Sequence, residues 1–524
     1  MRGPSSSHTA GSFHIARILH DLLGARPCRA RVTFDPRGSY ARVFREQGVD
    51  RGFAMGLLGW PLTDTRFFRV LDQAASEGLD LRFDVRQLER ADHPNTVEIE
   101  LEGLAGASSL AIARSVGGGS VEIVALDGWP VELTGETYEA LVEVDRANAD
   151  SAVETLAGDG EVVGEIRRLD RGDLRLLHAR RNAALPDAAR LALGRLAVNG
   201  RVREARPLAF VKRGRPLFDS AAVMIDLARA RNVSLGRLAL AHEASLVGIG
   251  EDDARVEMRR RLDVMSAAVA AGLDAEPVPG EPGMQLLEPS ARAVFDAEAA
   301  GRVAVGGLHT RAAARALAAM HVNSRMGVVC AAPTGGSAGV LPGVITTLVD
   351  EGRVDYAGIR DQGSGIGDAG RREAATLALC AAGAIGVIVA ARATFAAEVA
   401  GCQVEIGAAG AMAAAAVVEA AGGSAAQAAD AAAIAFQNTM GSVCDLVQGV
   451  VEIPCHTRNA VAASGAFVCA DLVLGGYENP IPLDDTIDAV LAVGRMMPPE
   501  LRVTSRGGLA VTPSALRLRG RKLK

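Results

Sequence analysis

Lysine is almost missing from this chain. Only Lys212, Lys522 and Lys524 occur among 524 residues, and arginine supplies the remaining positive charge. Pyridoxal phosphate chemistry needs a Schiff-base lysine, and only Lys212 lies outside the tail, so that cofactor is not expected. Aromatic side chains make up 4% of the residues, while Ala and Gly crowd the second half, which favours closely packed helices over a large aromatic core. A basic field is lacking as well. The formal charge is -6, nucleic acid is not an expected partner, and the basic cluster Arg517, Arg519, Arg521, Lys522 and Lys524 reads as a solvated terminus.

The chain opens on the polar run Met1 to Ser7, so no secretory leader is expected, and its seven cysteines are too few and odd in number for a disulfide scaffold. A reducing cytoplasm is the expected compartment. The one apolar run near membrane-spanning length, Ala375 to Ala391, is mostly Ala, Gly and Val, and Arg371, Arg372 and Arg392 flank it. It reads as a buried bundle helix, with no membrane partner. No His-Glu-x-x-His string occurs among the nine histidines, which leaves a zinc hydrolase without support. The glycine-rich stretch Ala332 to Gly339 has no lysine with which to cradle a phosphate.

The periodicities divide the chain into parts. Ile15, Ile18, Leu19 and Leu22 recur at helical spacing, and the loop Gly3 to Thr9 ahead of them offers several N-caps. Alternating stretches at Arg29 to Phe34, Leu79 to Phe83, Thr96 to Leu101 and Ser120 to Leu126 predict strands, so residues 1–135 read as an α+β domain. Residues 136–178 suggest a small β-α-β-β unit, with strands at Tyr138 to Val144, Val162 to Arg168 and Asp173 to Leu177. Residues 179–216 read as a linker, and 217–524 as an all-α domain that starts with helices at Asp219 to Ala230 and Ser234 to Val247.

Three cysteines stand out by their neighbours: Gly401-Cys402-Gln403, Val443-Cys444-Asp445 and Pro454-Cys455-His456. Thiolates bind soft iron, and three of them leave one iron of a cluster open. Spacings this long also suit small core fillers. In the opening loop, hydroxyls, backbone N–H groups and a helix dipole together could hold a carboxylate, with His8 as a proton-transfer group. His93-Pro94-Asn95-Thr96 has the composition of a plain turn.

Taken in order, these strings resemble the iron-sulfur L-serine dehydratases. Gly3-Pro4-Ser5-Ser6-Ser7-His8-Thr9 is similar to the opening signature of that family's β portion, and Gly38-Ser39, His93 to Thr96 and Gly117-Gly118-Gly119 follow in family order. The second half resembles the α portion: Val322-Asn323, Ala332 to Gly336, Gly401 to Gln403 with Glu405 and Gly407, Val443 to Asp445, Ile453 to Cys455 with Arg458-Asn459, and Leu501 to Pro513.

The resemblance implies a 4Fe-4S cluster on Cys402, Cys444 and Cys455, with one iron open to a small amino-acid substrate. It also implies a homodimeric enzyme of amino-acid degradation and gluconeogenesis that converts L-serine to pyruvate and ammonia. Ser5, Ser6, Ser7, Thr9, Ser39, Asn95, Thr96, Thr334, Gly335, Arg458 and Asn459 fall on expected substrate positions, and His8 and His93 on candidate catalytic ones. Cys28, Cys330, Cys380 and Cys469 are left as structural thiols. The implied architecture is multidomain: an N-terminal α+β domain, a truncated ACT-like β-α-β-β unit and a C-terminal all-α catalytic domain. Where the family carries Gly-His-Gly-Thr-Asp this chain has Glu46-Gln47-Gly48-Val49-Asp50, and an amide takes no proton at neutral pH. The base is then expected at His8 or His93. Two alternatives stay open: a lyase for another β-hydroxy or β-substituted amino acid, and a non-catalytic cluster protein.

Overall fold

A computed structural model describes residues 1–274, 280–351 and 367–518. The basic tail beyond 518 lies outside the described residues. Two compact units result, one formed by His8–Gly214 and the other by Met1–Ser7 together with Arg215–Lys524.

The first unit, the sheet unit, is built on a six-stranded sheet of order β2-β1-β3-β4-β5-β6. Its strands are β1 Pro27–Phe34, β2 Asp80–Val85, β3 Thr96–Gly103, β4 Ser108–Gly117, β5 Ser120–Leu126 and β6 Trp129–Leu133. In β1, Ala30, Val32 and Phe34 face the core while Arg29 and Arg31 face solvent, the period of two that a half-buried strand requires. The helix Gly11–Leu23 contributes Ile15, Ile18, Leu19 and Leu22 to the same core and ends on Gly24, whose φ of 66° suits glycine. β4 escaped the sequence reading because its inward side chains, Ser109, Ala111, Ala113 and Ser115, are small or polar. The apolar Leu110 points outward instead, so no hydrophobic alternation marks the strand.

A second sheet of order β10-β7-β9-β8 follows, from β7 Tyr138–Asp145, β8 Arg167–Arg171, β9 Leu174–Arg181 and β10 Ala197–Ala205. With the helices Ala149–Ala157 and Asp187–Leu196 the chain order is β-α-β-β-α-β, a complete ferredoxin-like succession. This corrects the truncated unit at 136–178 and the linker at 179–216, since that range holds the second helix and the fourth strand. β10 pairs with β7 through Val202 to Ala205. Its sequence hides it: Asn199 and Gly200 both have positive φ at a register shift, and its arginines are only half-buried. The strand forms because β7 offers an edge. β8 also starts later than the spacing suggests, and Val162 makes only an isolated bridge to Arg181.

In the second unit, the helical unit, the regular elements among the described residues are all helices, as its composition suggests. Ser220 and Ser234 accept hydrogen bonds at the starts of Ala221–Arg231 and Leu235–Val247. At its centre Ile406–Ala420 is buried on nearly all sides, as a helix apolar all round must be. Small residues permit the close packing. A Cβ on Gly272 would lie 1.9 Å from the Ala318 carbonyl oxygen, and one on Gly343 would lie 2.6 Å from that of Ala312. The stretch Ala369–Arg392 is apolar enough to cross a membrane by composition, but 78% of its most apolar window is buried inside the unit.

Met1–Ser7 belongs to the helical unit, which corrects the expected 1–135 boundary. Met1 and Val329 exchange two backbone bonds of 2.8 Å, one of them through the terminal ammonium, and the Gly3 N–H donates to the Gly327 carbonyl at 3.0 Å. The Asn323 amide donates to Pro4 O at 2.9 Å. Paired backbone, rather than side-chain patterning, holds the segment there.

Candidate active site

Cys402, Cys444 and Cys455, far apart in sequence, meet in one buried cluster with Met320, Ile406, Leu446 and Val451. Local structure places each thiol. Cys402 follows Gly401, whose φ of 76° lets the chain turn into a short helical turn before Ile406–Ala420. Cys444 is pinned on both sides by backbone bonds, its N–H donating to Leu501 O at 2.8 Å and its carbonyl accepting from Val503 N at 2.9 Å. Cys455 is the first residue of the helix Cys455–Leu474. Two of the three thiols therefore stand at or just before helix N-termini, where the helix dipole favours negative charge.

Charged groups frame the thiols. Arg458 donates to Cys402 Sγ at 3.6 Å, to Val443 O at 2.7 Å and to Asp445 Oδ1 at 3.0 Å. Asp445 Oδ2 also accepts the Leu509 N–H at 2.8 Å, tying the 508–511 turn to the site. The bond from Cys444, with Arg458 nearby, pulls the Cys402 thiol below its ordinary value. The same bond and burial push Cys444 well up, and burial does the same to Cys455. Burial, then Cys402 and Glu398, push the Glu405 carboxyl well above the usual range. A carboxylate oxygen of Glu405 and the Sγ atoms of Cys402 and Cys444 all lie within 4.8 Å of one another.

This donor set fits a metal cluster. Three buried thiols and the Glu405 carboxyl stand beside the Arg458 guanidinium, which already pairs with Asp445. Without a metal these groups keep their protons; a bound cation would take them as anionic donors and reverse the upward shifts.

The loop before Val340–Asp350 completes the surroundings. The Thr334 hydroxyl bonds Glu405 and lies 3.0 Å from Ser337 Oγ. Gly335 to Gly339 also spells Gly-x-Ser-x-Gly, but Ser337 is buried with its hydroxyl turned to Thr334, so it is no nucleophile elbow. A Cβ on Gly335 would lie 2.9 Å from Ser6 N, which is why glycine sits where the opening segment passes. Ser7 Oγ donates to Glu398 at 2.7 Å, and Ser5 Oγ lies 3.3 Å from Ser7 Oγ. Asn459 is used up as a brace: its oxygen accepts Gly339 N–H at 3.0 Å, and its amide donates to Gly336 O at 2.8 Å and Cys455 O at 2.9 Å.

Of the other candidate residues, Ser6 belongs to the helical unit, and His8, Thr9, Ser39, His93, Asn95 and Thr96 lie in the sheet unit. Ser6–Ala10 forms one wide helical turn running straight into Gly11–Leu23, and Ala10, not a hydroxyl residue, occupies the cap position. The expected hydroxyl-capped loop is corrected, since Thr9 Oγ1 instead donates to Gln47 O at 2.7 Å. His8 is fully buried, with Nε2 2.9 Å from Ser39 Oγ and its ring edge-on to Tyr40 at 5.0 Å. His93 Nδ1 accepts the Asn95 N–H at 3.1 Å, and His93 N donates to Thr96 Oγ1 at 3.2 Å, which makes 93–96 a tight turn. Asn95 Nδ2 donates to Ser115 O at 3.3 Å.

Sequence reasoning overlooked Glu398 and Glu452 altogether. It quoted Glu405, Asp445 and Asp50 within longer strings without giving them roles. Glu405 had a signal, standing one turn after Cys402, whereas Glu398 and Glu452 had none. Glu452 accepts backbone N–H groups of Gln285, Leu286 and Leu287 at 2.5, 2.9 and 2.7 Å and so fastens the 285–287 loop beside Cys455. Asp50 is buried in the sheet unit, and burial raises its carboxyl from 3.8 to about 6. Of the remaining thiols, Cys380 and Cys469 are pushed by burial to about 12 and about 11, as inert core groups are.

The family model described as serine dehydratase alpha chain matches residues 165–510. The chain belongs to that family. It is 37% identical over 302 residues to the probable L-serine dehydratase, alpha chain, of Bacillus subtilis, covering 58% of this chain and 94% of the relative. The L-serine dehydratase, alpha chain, of Peptoniphilus asaccharolyticus is 32% identical over 308 residues, 59% of this chain and 99% of the relative. A beta chain matches too: the probable L-serine dehydratase, beta chain, of Bacillus subtilis is 33% identical over 186 residues, 34% of this chain and 80% of the relative. Beta-type and alpha-type portions are thus fused in one polypeptide, in line with the resemblance read from the motifs.

Proposed function

We propose that this chain is an L-serine ammonia-lyase with a 4Fe-4S cluster held by Cys402, Cys444 and Cys455: it eliminates water from L-serine, and the resulting enamine tautomerises to an imine that takes up one water to release pyruvate and ammonia. The observation that carries the reading is the meeting of these three thiols in one buried cluster beside Arg458 and Glu405. When bound, the cluster supplies a Lewis acid that makes the substrate's β-hydroxyl a better leaving group.

The chain's own groups do the rest. Arg458, already committed to Cys402 and Asp445, orients the thiolate, and Asn459 braces the Thr334 to Gly339 loop; both act as positioning residues. Ser5, Ser7 and Thr334 line the polar approach to Glu398 and Glu405 and are assigned to the substrate's charged ends. His93, whose Nδ1 accepts a backbone N–H, carries its proton on Nε2 when neutral and is therefore a donor. The α-proton base is assigned to His8, whose ring Ser39 orients through Nε2. A cytoplasmic homodimer acting on a small amino acid completes the reading, and the ferredoxin-like sheet of β7 to β10 is assigned to the place of an ACT-type unit.

The test is anaerobic reconstitution of the full chain with iron and sulfide, followed by keto-acid release from L-serine and from threonine and cysteine. Iron-loaded protein that turns over no L-serine sinks the reading, as does full activity in the triple Cys→Ser variant. An unchanged rate in His8→Ala removes only the assignment of the base.

A further inference from the structure

Three cysteines leave a cluster one protein ligand short, and the structure supplies a fourth donor beside them. Glu405 occupies the cap position of Ile406–Ala420, yet its side chain makes no capping bond. Residues there ordinarily turn back to satisfy the first N–H groups. Glu405 turns the other way, bringing a carboxylate oxygen into the same 4.8 Å group as Cys402 Sγ and Cys444 Sγ. Two further contacts hold it there. The Thr334 hydroxyl bonds the carboxyl, and the Gly336 backbone comes so close that a Cβ would lie 3.3 Å from Oε2. A larger residue at 336 would press on the carboxylate.

The neighbouring cation does not satisfy this group. Arg458 is spent on Asp445, the Val443 carbonyl and Cys402. A carboxyl placed among thiols without its own counter-charge stays protonated until a metal ion takes it as the carboxylate. Carboxylate oxygen is a harder and weaker iron ligand than thiolate, so it exchanges where thiolates stay.

We propose that the Glu405 carboxylate is the fourth protein donor of this site, holding the iron that the three cysteines leave open until substrate displaces it. The inference rests on the function proposed above and deepens it. Displacement is a ligand exchange, in which one iron–oxygen bond to Glu405 breaks as one to the substrate's oxygen forms, with no change of redox state. A resting enzyme closed in this way keeps solvent and oxidants from the exposed iron, and the carboxylate is left beside the substrate as it binds.

The experiment uses the full chain, reconstituted anaerobically with Mössbauer-active iron, as wild type, Glu405→Gln and Glu405→Ala. Iron and sulfide contents and far-ultraviolet circular dichroism are recorded first. The unique iron site of wild type is expected to shift on adding L-serine. In both variants the substrate-free spectrum should already differ from wild type, and the L-serine complexes of all three should coincide. A second measurement needs no variant: pulsed electron paramagnetic resonance of the reduced wild type with isotopically labelled glutamate carboxyl groups. A carboxyl coupling that L-serine abolishes supports the inference. Its absence, or identical substrate-free spectra in wild type and Glu405→Ala, overturns it while leaving the cluster reading intact. Wild-type protein that assembles no cluster overturns both.

Discussion

Replacing Asn459 with alanine removes a side chain that is fully buried and whose hydrogen-bonding groups all have protein partners. The bond to Cys455 O lies within one helix, and that carbonyl keeps its helical partner. The bonds to Gly339 N and Gly336 O are different, because they tie the Thr334 to Gly339 loop to the helix that starts at Cys455. Gly339 is buried, so its orphaned N–H carries most of the cost of an unmet donor, roughly 1–3 kcal/mol. Gly336 is only half-buried, and its carbonyl regains water for about 1 kcal/mol or less. With the small void added, the helical unit should lose about 2–4 kcal/mol.

The assay is hydrogen exchange of the metal-free chain, followed at the Gly336 to Val340 amides, together with urea unfolding read by circular dichroism. Exchange at these amides should accelerate by about two powers of ten, which is what roughly 3 kcal/mol of local stability amounts to. Asn459→Asp, which turns a donor into an acceptor facing Gly336 O, should be at least as harmful. If both variants leave exchange and urea midpoint unchanged and only raise KM for L-serine, Asn459 is a substrate ligand and the bracing argument is wrong.

Asp50 gives a pH test. Its carboxyl ionises near 6 when folded against 3.8 as an ordinary aspartate, so the folded state holds a proton that the unfolded chain has released. Stability therefore falls as pH rises between these values and stays reduced above them, by up to roughly 3 kcal/mol. Asp50→Asn should flatten that slope and stabilise the protein at neutral pH, and matching pH profiles of the urea midpoint would count against the burial argument. Each of Cys402→Ser, Cys444→Ser and Cys455→Ser should lower bound iron severely with little change in circular dichroism, whereas Cys28→Ser should not; colorimetric iron assay decides. Gly335→Ala should loosen Met1–Ser7 through the clash at Ser6 N, seen as faster proteolysis at the N-terminus. Glu452→Ala strips three backbone N–H groups of their acceptor and should cost about 3 kcal/mol or more, measured by thermal unfolding.

Much of this was legible beforehand wherever a periodic pattern met a buried face. β1, β3, β5 and the helix Gly11–Leu23 stand close to where alternation and helical spacing put them. Among the elements that were missed, β6 did carry the alternation, with Trp129, Val131 and Leu133 inward, but Pro130 in its middle argues against a strand; β4 and β10 had no such pattern. β4 buries serines and alanines, and β10 is an arginine-rich edge interrupted at Asn199 and Gly200. The hydroxyls of the opening segment were legible as a functional cluster, but not their partners: Ser7 found Glu398, and Thr9 found Gln47.

The sequence by itself determined the residue types that chemistry requires: three cysteines, two of them directly beside glycine or proline, almost no lysine, and a helical second half rich in small residues. Those properties are local, set by side-chain identity and by periods of two and 3.6 residues. Tertiary structure alone decided which groups share a site. The approach of Glu405 to Cys402 and Cys444, the commitment of Arg458 to Asp445, and the conversion of Asn459 into a brace depend on helix N-termini brought together by close packing at glycine and alanine. Residues tens of positions apart have no pattern in sequence that records their distance in space. The fourth strand of the ferredoxin-like sheet is the same case, because a strand is stabilised by the edge it joins as much as by its own side chains.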